Sequence, residues 1–349
     1  MSTCRNPIHC FIPPYIIERL AGSPDAKIRR RAIEAMALAA EARAVRSTLS
    51  RIGRAAAIPS PEAKKHRLTY DMKHRTSPLP GSLVRSEGDP AVDDPAANEA
   101  HNNAGASYDF YKRVFARNSI DNNGMTIVSS IHFGSDYSNA FWNGEQMVYG
   151  DGDGRLFLRF TKSLDVAGHE LTHGVIAYEC NLIYQDEPGA LNEHFADVMG
   201  SLISQWKKKQ TAKKADWLIG DELMGPDIKA KSIRTFKAEP AYEDDPVLGT
   251  DPQPKHMKDK YTGRDDNGGV HINSGIPNHA FYLTAIELGG NAWEKAGWIW
   301  YDTIKALGSY SKFQDAAQTT YTMAGSRFGW GGAEQKAVKA AWKGVGITL

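Results

Sequence analysis

The chain has 349 residues, of which 41% are hydrophobic and 24% are charged, and its formal net charge is +1. This balance is typical of a soluble globular protein and gives no reason to expect nucleic acid or an anionic membrane as a partner. No apolar run approaches the roughly 18 residues that a membrane span needs. Its three cysteines cannot form a disulfide framework. We therefore expect folding in a reducing compartment, no nucleic-acid or membrane partner, and a monomer.

The N-terminal segment differs from the rest in charge. Residues 1–60 contain ten Lys or Arg and four acidic residues, a net charge of +6. Residues 25–50 are rich in Ala and Arg and predict a helix, whereas two prolines predict an extended conformation at 10–17. Residues 55–61 predict a linker. Because the first twenty residues lack an uninterrupted apolar stretch, we expect no signal peptide and synthesis in the cytoplasm, with export by a non-standard route left open.

The body begins with a mixture of one helix and several strands. Residues 94–118 predict a long helix, and alternating apolar residues predict strands at 126–133 and 146–149. Glycine and aspartate alternate at 150–154, which predicts a tight turn leading into a returning strand at 156–160. This half is therefore expected to be rich in β-structure.

The second half of the body is predicted to be helical. Helical patterns cover residues 193–209, 275–289, 292–307, 313–328 and 330–344. A loop rich in Pro and Asp at 239–254 separates the first of these from the others. The predicted fold class is therefore α+β, with a β-rich lobe followed by a helical lobe. A cleft between two such halves is a usual place for a ligand site.

A five-residue motif at the junction of the two halves carries the chemistry. His169 and His173 lie about 40° apart on one face of a helix, so both can bind one metal ion. The pattern H-E-x-x-H on a helix is typical of a zinc site with a general base, here Glu170. A catalytic zinc typically has three protein ligands and one water, and Glu193 supplies the third ligand. Zinc lowers the pKa of that water, and Glu170 can take its proton.

Other polar side chains can orient this site. Asp197 lies on the same face of the second helix and is predicted to accept the remaining N–H of a ligand imidazole, and Asn192 can do similar work. Zinc hydrolysis needs a donor opposite the metal to hold the developing oxyanion. His271, polarised by Asp266, is predicted to supply that donor, with Tyr184 as a second one.

The sequence combines six separated motifs in a fixed order. They occupy residues 139–144, 169–173, 183–185, 189–197, 232–234 and 266–276. Together they resemble the motifs of the thermolysin-like zinc metalloproteases, and the resemblance extends over residues 67–349. It implies a two-lobed α+β catalytic domain, with the zinc helix at the end of a β-rich lobe at 61–184 and a helical lobe at 185–349.

The resemblance also implies the roles of individual residues. In the family, matching residues bind zinc, here His169, His173 and Glu193. The matching base is Glu170, and His271 and Tyr184 steady the tetrahedral intermediate.

A further set of residues is implied to hold the substrate. Arg234 and Asn139 hold its backbone, and Ala140 and Trp142 contribute main-chain contacts. The pocket after the scissile bond is lined at positions that here are Phe157, Val166, Leu223 and Ile233. All four are apolar, so we expect cleavage on the amino side of bulky hydrophobic residues. Their spacing alone is equally compatible with ordinary core.

The N-terminal segment resembles the propeptide of the short-propeptide, protealysin-like branch of the family. Precursors of that branch carry a Pro-Pro-Leu motif in the substrate cleft, and this chain has Pro13, Pro14 and Tyr15 there. We therefore expect a small helical, inhibitory propeptide at 1–60, removed autocatalytically within 55–67.

Two alternatives for this segment stay open. One is a helical decoration without an inhibitory role. The other is a thiolate, from Cys4 or Cys10, that caps the zinc as its fourth ligand.

Calcium binding is where the chain departs from longer family members, which bind a calcium pair near the active site. Matching positions hold Asp165, Asp216 and Asp221, but two others hold Ser204 and Leu218. Loss of two anionic ligands removes most of the affinity for a hard divalent cation. We therefore expect no double calcium site, with a single ion left open.

The sequence thus predicts a zinc-dependent endopeptidase, made as a zymogen, that acts on proteins and peptides and is inhibited by its own propeptide. The alternative is a catalytically inactive relative that binds peptides or proteins in its cleft.

Overall fold

The structure is a computed structural model that describes residues 9–38 and 64–349. Its strands are β1 His9–Cys10, β2 Arg67–Asp71, β3 Ser82–Ser86, β4 Ile127–Ile131, β5 Ala140–Trp142, β6 Met147–Tyr149, β7 Leu218–Ile219 and β8 Arg234–Thr235. Its helices are α1 Pro14–Ala21, α2 at 26–38, α3 Pro95–Phe115, α4 Leu164–Glu179, α5 Asp186–Lys208, α6 Asp265–Asn273, α7 Gly275–Leu288, α8 Ala296–Ala306, α9 Phe313–Phe328 and α10 Ala333–Gly344. The predicted linker at 55–61 and the second half of the predicted helix at 25–50 lie outside the described residues.

One six-stranded sheet dominates the first lobe, in the order β1-β5-β6-β4-β2-β3. β2 and β6 run parallel to β4, and the other pairs are antiparallel. The strand at one edge, β1, comes from the N-terminal segment, and its Cys10 lies opposite Phe141 of β5. An edge strand offers unpaired N–H and C=O groups to any extended peptide. The N-terminal segment pairs in this way with β5.

α3 packs against the sheet, and capping residues in the sequence define where it begins and ends. Asp94 accepts a hydrogen bond from the Ala96 N–H at 2.9 Å, and Pro95 occupies the first turn, where no N–H is needed. The helix ends at Phe115 and is capped by Ala116, which is left-handed at φ 56°. Its inner face, rich in Ala and aromatic residues, is buried against the sheet and α4.

α4 and α5 form the centre of the molecule, and glycines let their axes approach closely. A Cβ atom on Gly200 of α5 would lie 2.4 Å from the Asp165 carbonyl oxygen of α4. A Cβ atom on Gly168 would lie 2.8 Å from the Ile203 side chain. Both distances are far below van der Waals contact, so no larger residue fits without displacement. This approach brings the polar residues of both helices together.

The helical lobe closes around large aromatic side chains whose polar atoms are paired. Trp300 and Trp342 are fully buried, and their rings stack 6.5 Å apart. The Trp300 indole N–H donates to His194 at 2.7 Å, and that of Trp342 donates to Thr320 at 2.8 Å. Aromatic residues bury the most apolar area per side chain, so this cluster stabilises the second lobe.

The α+β prediction, with a β-rich first lobe and a helical second lobe, is confirmed. The predicted strand at 156–160 is wrong. Phe157 makes an isolated bridge with Met224, and a 3-10 helix follows at Phe160–Lys162. Asp153 accounts for this because its Oδ1 accepts the backbone N–H groups of the next residues and closes the chain into a turn.

The extended conformation predicted for 10–17 is found at Cys10 in β1 and at Pro13, whereas the chain bends at Phe11 and Ile12 and is helical from Pro14. α1 begins at Pro14, because a proline in the first turn has a helical φ and removes only an N–H that would have no partner. Among the described residues, no helix combines the length and apolar character that crossing a membrane would require.

Candidate active site

α4 brings two imidazoles and one carboxylate close together. His169, Glu170 and His173 are all buried, and they form the one cluster of candidate metal-binding atoms found in the described part of the chain. α5 brings Glu193 to the same point. Its carboxylate oxygens lie 3.5 Å from the Nε2 atoms of both histidines.

The outer nitrogens of both histidines are held by hydrogen bonds. His169 Nδ1 lies 2.9 Å from Asp197 Oδ1, and His173 Nδ1 lies 2.9 Å from Asn192 Oδ1. With each Nδ1–H donating to an oxygen, each Nε2 carries a lone pair, and the two Nε2 atoms are 3.0 Å apart. Two lone pairs and a carboxylate converging in a buried space favour a cation between them. The set of two imidazoles and one carboxylate fits zinc.

Glu170 presents one oxygen to this space. Its Oε2 accepts a hydrogen bond from the Trp142 backbone N–H at 2.9 Å. Its Oε1 is buried and has no hydrogen-bond partner among the described residues. Burial raises the pKa of Glu170 to about 8. A carboxylate with a raised pKa and one free oxygen is suited to accept a proton from a water molecule.

Asp197 connects the metal side of the site to a buried arginine. Besides His169, it accepts hydrogen bonds from Arg234 at 2.8–3.1 Å and from Asn278 Nδ2 at 2.9 Å. Burial would raise the pKa of Asp197, but the Arg234 guanidinium and the His169 ring lower it to about 2. Asp197 therefore stays charged and fixes both partners.

His271 faces the site from α6. Residues 266–269 have left-handed backbone angles, and this turn brings Asp266 back onto the ring, with Oδ1 2.6 Å from His271 Nδ1. Its other nitrogen, Nε2, lies 3.0 Å from the Tyr184 hydroxyl, which donates to Glu193. Burial lowers the pKa of His271, but the Glu193 and Asp266 carboxylates raise it, and the net shift is upward. His271 and Tyr184 thus place two donors beside the metal ligands.

A piece of the N-terminal segment crosses these residues. The Phe11 N–H donates to the Ala140 carbonyl at 3.0 Å, and Arg234 Nη1 donates to the Phe11 carbonyl at 3.0 Å. The Ile12 N–H donates to Asn139 Oδ1 at 2.9 Å.

The carbonyl of the preceding residue, Cys10, lies 3.3 Å from His271 Nε2. The Cys10–Phe11 peptide bond therefore runs past the metal ligands, with its carbonyl directed at the predicted oxyanion donor.

The Phe11 side chain is fully buried in a pocket beside the metal ligands. Its ring lies edge-on to His169 with centroids 5.5 Å apart, and the Arg234 guanidinium carbon lies 4.6 Å from its centre. A Cβ atom on Gly220 would lie 2.9 Å from the ring and 3.2 Å from Ile233. Gly220 is thus part of this pocket wall, and sequence reasoning missed it. All four residues of the predicted pocket are buried: Phe157, Val166, Leu223 and Ile233.

The predicted cleft-blocking residues Pro13, Pro14 and Tyr15 follow the residues that cross the metal ligands, and their blocking role stays a prediction. The structure places Cys10, Phe11 and Ile12 there, and Pro14 already belongs to α1. The reason is chemical, since a proline has no N–H to donate to the β5 edge. The apolar pair Phe11 and Ile12, directly before the two prolines, is the sequence feature that could have indicated the residues in the cleft.

The thiolate alternative is only partly covered by the structure. Cys4 lies outside the described residues. Cys10 is buried, and within the described residues it is not a member of the cluster of candidate metal-binding atoms. Its backbone carbonyl faces His271.

The residues at the predicted calcium positions make protein contacts. Asp165 accepts the Gly220 N–H at 2.9 Å and the Val166 N–H at 2.8 Å. Burial and the nearby Asp165 and Asp216 carboxylates raise the pKa of Asp221 to about 6. The absence of a double calcium site stays a prediction.

Comparisons with known proteins agree with this geometry. The family model described as "Thermolysin metallopeptidase, catalytic domain" matches residues 60–177, and "Thermolysin metallopeptidase, alpha-helical domain" matches residues 180–347. The chain is 44% identical to an extracellular metalloprotease of Pectobacterium carotovorum subsp. carotovorum, over 99% of this chain and 98% of that protein. It is 50% identical to Protease PrtS of Photorhabdus sp. (strain Az29), over 81% of this chain and 77% of that protein.

A solved structure extends the likeness to the N-terminal segment. The precursor of protealysin, a metalloproteinase from Serratia proteamaculans, superposes with a TM-score of 0.87 at 44% identity. The superposition covers 97% of this chain and 100% of the other chain.

Proposed function

The chain belongs to the thermolysin metallopeptidase family and is a zinc metalloendopeptidase, and we propose that it is made as a zymogen inhibited by its own N-terminal segment. In this proposal residues 1–60 are the propeptide, 61–184 the β-rich catalytic lobe and 185–349 the helical lobe. The observation that carries it is the stretch from Cys10 to Ile12, which makes the hydrogen bonds that a bound peptide would need.

Five residues carry the proposed chemistry at the metal. His169, His173 and Glu193 hold the zinc, and Asp197 and Asn192 fix the two imidazoles. When bound, zinc lowers the pKa of a water molecule and polarises the substrate carbonyl.

Glu170 serves as the general base. Its Oε1 accepts a proton from the attacking water and carries that proton to the nitrogen that leaves. The Trp142 N–H holds the other carboxylate oxygen and so leaves Oε1 free for that proton.

His271 and Tyr184 stabilise the oxyanion in this proposal. Asp266 supports the imidazolium form of His271 by accepting from Nδ1, which leaves the Nε2 proton for the carbonyl oxygen. Arg234, Asn139 and Ala140 hold the peptide backbone on the far side of the scissile bond, as they hold residues 11–12 here.

The proposed specificity is for bulky hydrophobic residues on the carboxyl side of the cleaved bond. Phe11 supports it, because its ring fills the pocket beside Ile233 and Gly220. Burial of such a side chain supplies about 1.5–3 kcal/mol. A charged residue would lose this gain and would leave its charge unpaired in the pocket.

The test follows the full-length chain after zinc is added, by intact-mass spectrometry and by casein hydrolysis. We expect loss of a segment that ends within 55–67, a parallel rise in activity, and arrest of both by a chelator. Glu170→Gln should stay full length and retain zinc, with hydrolysis reduced by about 10²–10⁴-fold. Glu145→Gln, an exposed glutamate, serves as the control.

Three outcomes separate the alternatives. A full-length, fully active protein contradicts the zymogen proposal. A protein that binds peptides but never hydrolyses them supports the inactive relative. Activity that survives Glu170→Gln contradicts the assigned base.

We also propose that the enzyme acts outside the cell. The support is the printed name of the Pectobacterium relative, an extracellular metalloprotease. Fractionation of the native host culture, with detection of residues 64–349 in medium and cells, tests it, and confinement to the cells would contradict it.

A further inference from the structure

An arginine of the N-terminal segment reaches two carboxylates of the catalytic body. Arg31 lies on α2, and its Nη1 donates to Asp153 Oδ2 at 3.2 Å. Its Nη2 donates to Asp136 Oδ2. The Arg31 side chain is 17% exposed and that of Asp153 is 5% exposed, so this pair is largely shielded from water, whereas the Asp136 side chain is 47% exposed. A shielded pair is screened less by salt than an ordinary surface ion pair.

The two carboxylates are set in place by the body itself. Asp153 Oδ1 accepts three backbone N–H groups from the turn that follows it, which directs Oδ2 outward to Arg31. Asp136 lies in a turn at φ 54°, and its carbonyl accepts a hydrogen bond from the Ser138 hydroxyl at 3.3 Å. Neither arrangement uses the N-terminal segment. Both carboxylates should therefore keep their positions after that segment leaves.

These carboxylates lie beside the part of the cleft that follows the scissile bond. Arg31 and Asp153 line one cavity together with Ile12 and Phe157. Since Phe11 occupies the pocket after the scissile bond, Ile12 represents the second residue beyond that bond. The Phe157 N–H donates to Asp153 Oδ1 at 3.2 Å, so the carboxylate is connected directly to the predicted pocket wall.

We propose that Asp136 and Asp153 form a subsite for a basic side chain of the substrate, on the carboxyl-terminal side of the scissile bond. Arg31 fills this subsite in the precursor. The two carboxylates come from different turns, and each takes one end of the guanidinium fork, so the subsite favours Arg over Lys. The inference rests on the proposed endopeptidase function.

The experiment uses the full-length chain matured with zinc and a set of quenched fluorescent peptides. Each peptide has Phe directly after the scissile bond. It has Arg, Lys or Gln at the third, fourth or fifth position after that bond. At one of these positions Arg should raise kcat/KM over Gln by roughly five- to tenfold, mainly through KM. The ratio should fall as salt is added. Asp153→Asn and Asp136→Asn should bring the Arg-to-Gln ratio of kcat/KM toward one.

The two substitutions are chosen to keep the local backbone. An asparagine at 153 still offers Oδ1 to the turn, and an asparagine at 136 tolerates a positive φ. Asp302→Asn removes one charge from α8, where Asp302 pairs with Arg327, and should leave the Arg-to-Gln ratio at the wild-type value. If Asp153→Asn and Asp136→Asn also leave that ratio unchanged, the subsite is wrong.

The outcomes distinguish this inference from the proposed function. Hydrolysis before Phe without any preference for Arg overturns the subsite and leaves the endopeptidase intact. No chelator-sensitive hydrolysis of any peptide means that the proposed function has failed.

A second readout needs no turnover. In a full-length Glu170→Gln background, Arg31→Gln should speed hydrogen exchange at residues 26–38 of α2. Arg30→Gln should not, because Arg30 is exposed and pairs with Glu34 on its own helix. Equal exchange in both variants contradicts the anchoring role of Arg31.

Discussion

Asp197 shows how one side chain can couple two parts of a site. It accepts hydrogen bonds from His169, Arg234 and Asn278, while Arg234 also holds the Phe11 carbonyl. The position of Asp197 on its helix predicted only the hydrogen bond with His169. Loss of the carboxylate would leave a buried guanidinium without compensation, which typically costs several kcal/mol. Metal binding and peptide binding therefore depend on the same charge.

His132 is a second residue with a tertiary role, far from the metal ligands in sequence. Its Nδ1 lies 2.9 Å from Asp151, and its Nε2 lies 2.9 Å from Asp94, the N-cap residue of α3. The hydrogen bond to Asp151 is the main cause that raises the pKa of His132 to about 9. His74 lies nearby, 3.5 Å from Asp151. A protonated His132 thus bridges α3 to the loop after β6.

We predict a pH-dependent loss of stability in His132→Asn. The folded pKa lies above the unfolded value of about 6.5, so the contribution of His132 is complete below that pH and disappears as pH rises through about 9. Urea unfolding in a Glu170→Gln background should show a deficit of about 1–2 kcal/mol near pH 6, allowing for partial exposure, that shrinks by about pH 10. A deficit that is equal at both pH values contradicts the charged bridge.

At the scale of elements, the helical parts of the site were predictable and the strand contact was not. The i, i+4 spacing places His169 and His173 on one face of α4 because a helix is a local structure. β1 pairs with β5 across about 130 residues of chain, and two residues carry no pattern long enough to predict a strand. The cleft contact of Phe11 therefore needed the structure. Prolines helped less than expected, since Pro14 begins a helix instead of prolonging an extended segment.

The close approach of α4 and α5 gives a prediction for Gly200→Ala. The new Cβ would lie 2.4 Å from the Asp165 carbonyl oxygen and 3.3 Å from the His169 Cβ, so the two helices must separate. We expect the free energy of unfolding to fall by about 1–3 kcal/mol and zinc affinity to fall with it. Urea unfolding and calorimetric zinc titration measure the two effects.

Gly344→Ala on α10 is the matched control for this prediction. Its Cβ would meet only the flexible end of Leu283 at 3.1 Å, so it should be close to neutral. Equal losses in the two variants would show that helix packing at Gly200 is not the cause.

At the scale of the whole molecule, the described part of the N-terminal segment makes polar contacts with the body at places that are well separated in sequence. Residues 10–12 lie in the cleft, Arg31 reaches Asp136 and Asp153, and Arg19 Nε donates to the Val247 carbonyl at 2.9 Å. Sites that are linked in one chain reinforce one another, because each raises the local concentration of the next. Release of the segment therefore requires all of the contacts to break together, and the apolar cleft contact should dominate.

Phe11→Ala tests that dominance. Removing a buried phenylalanine ring typically costs 3–5 kcal/mol, so the closed state should lose most of its advantage over the open state. We expect full-length Phe11→Ala to hydrolyse casein from the first minutes after zinc is added, without the lag of the wild type. Ile33→Ala removes an apolar side chain that is 53% exposed on α2, and it should keep the lag. A Phe11→Ala protein with the wild-type lag would show that the contacts of Arg19 and Arg31, not the cleft, hold the enzyme closed.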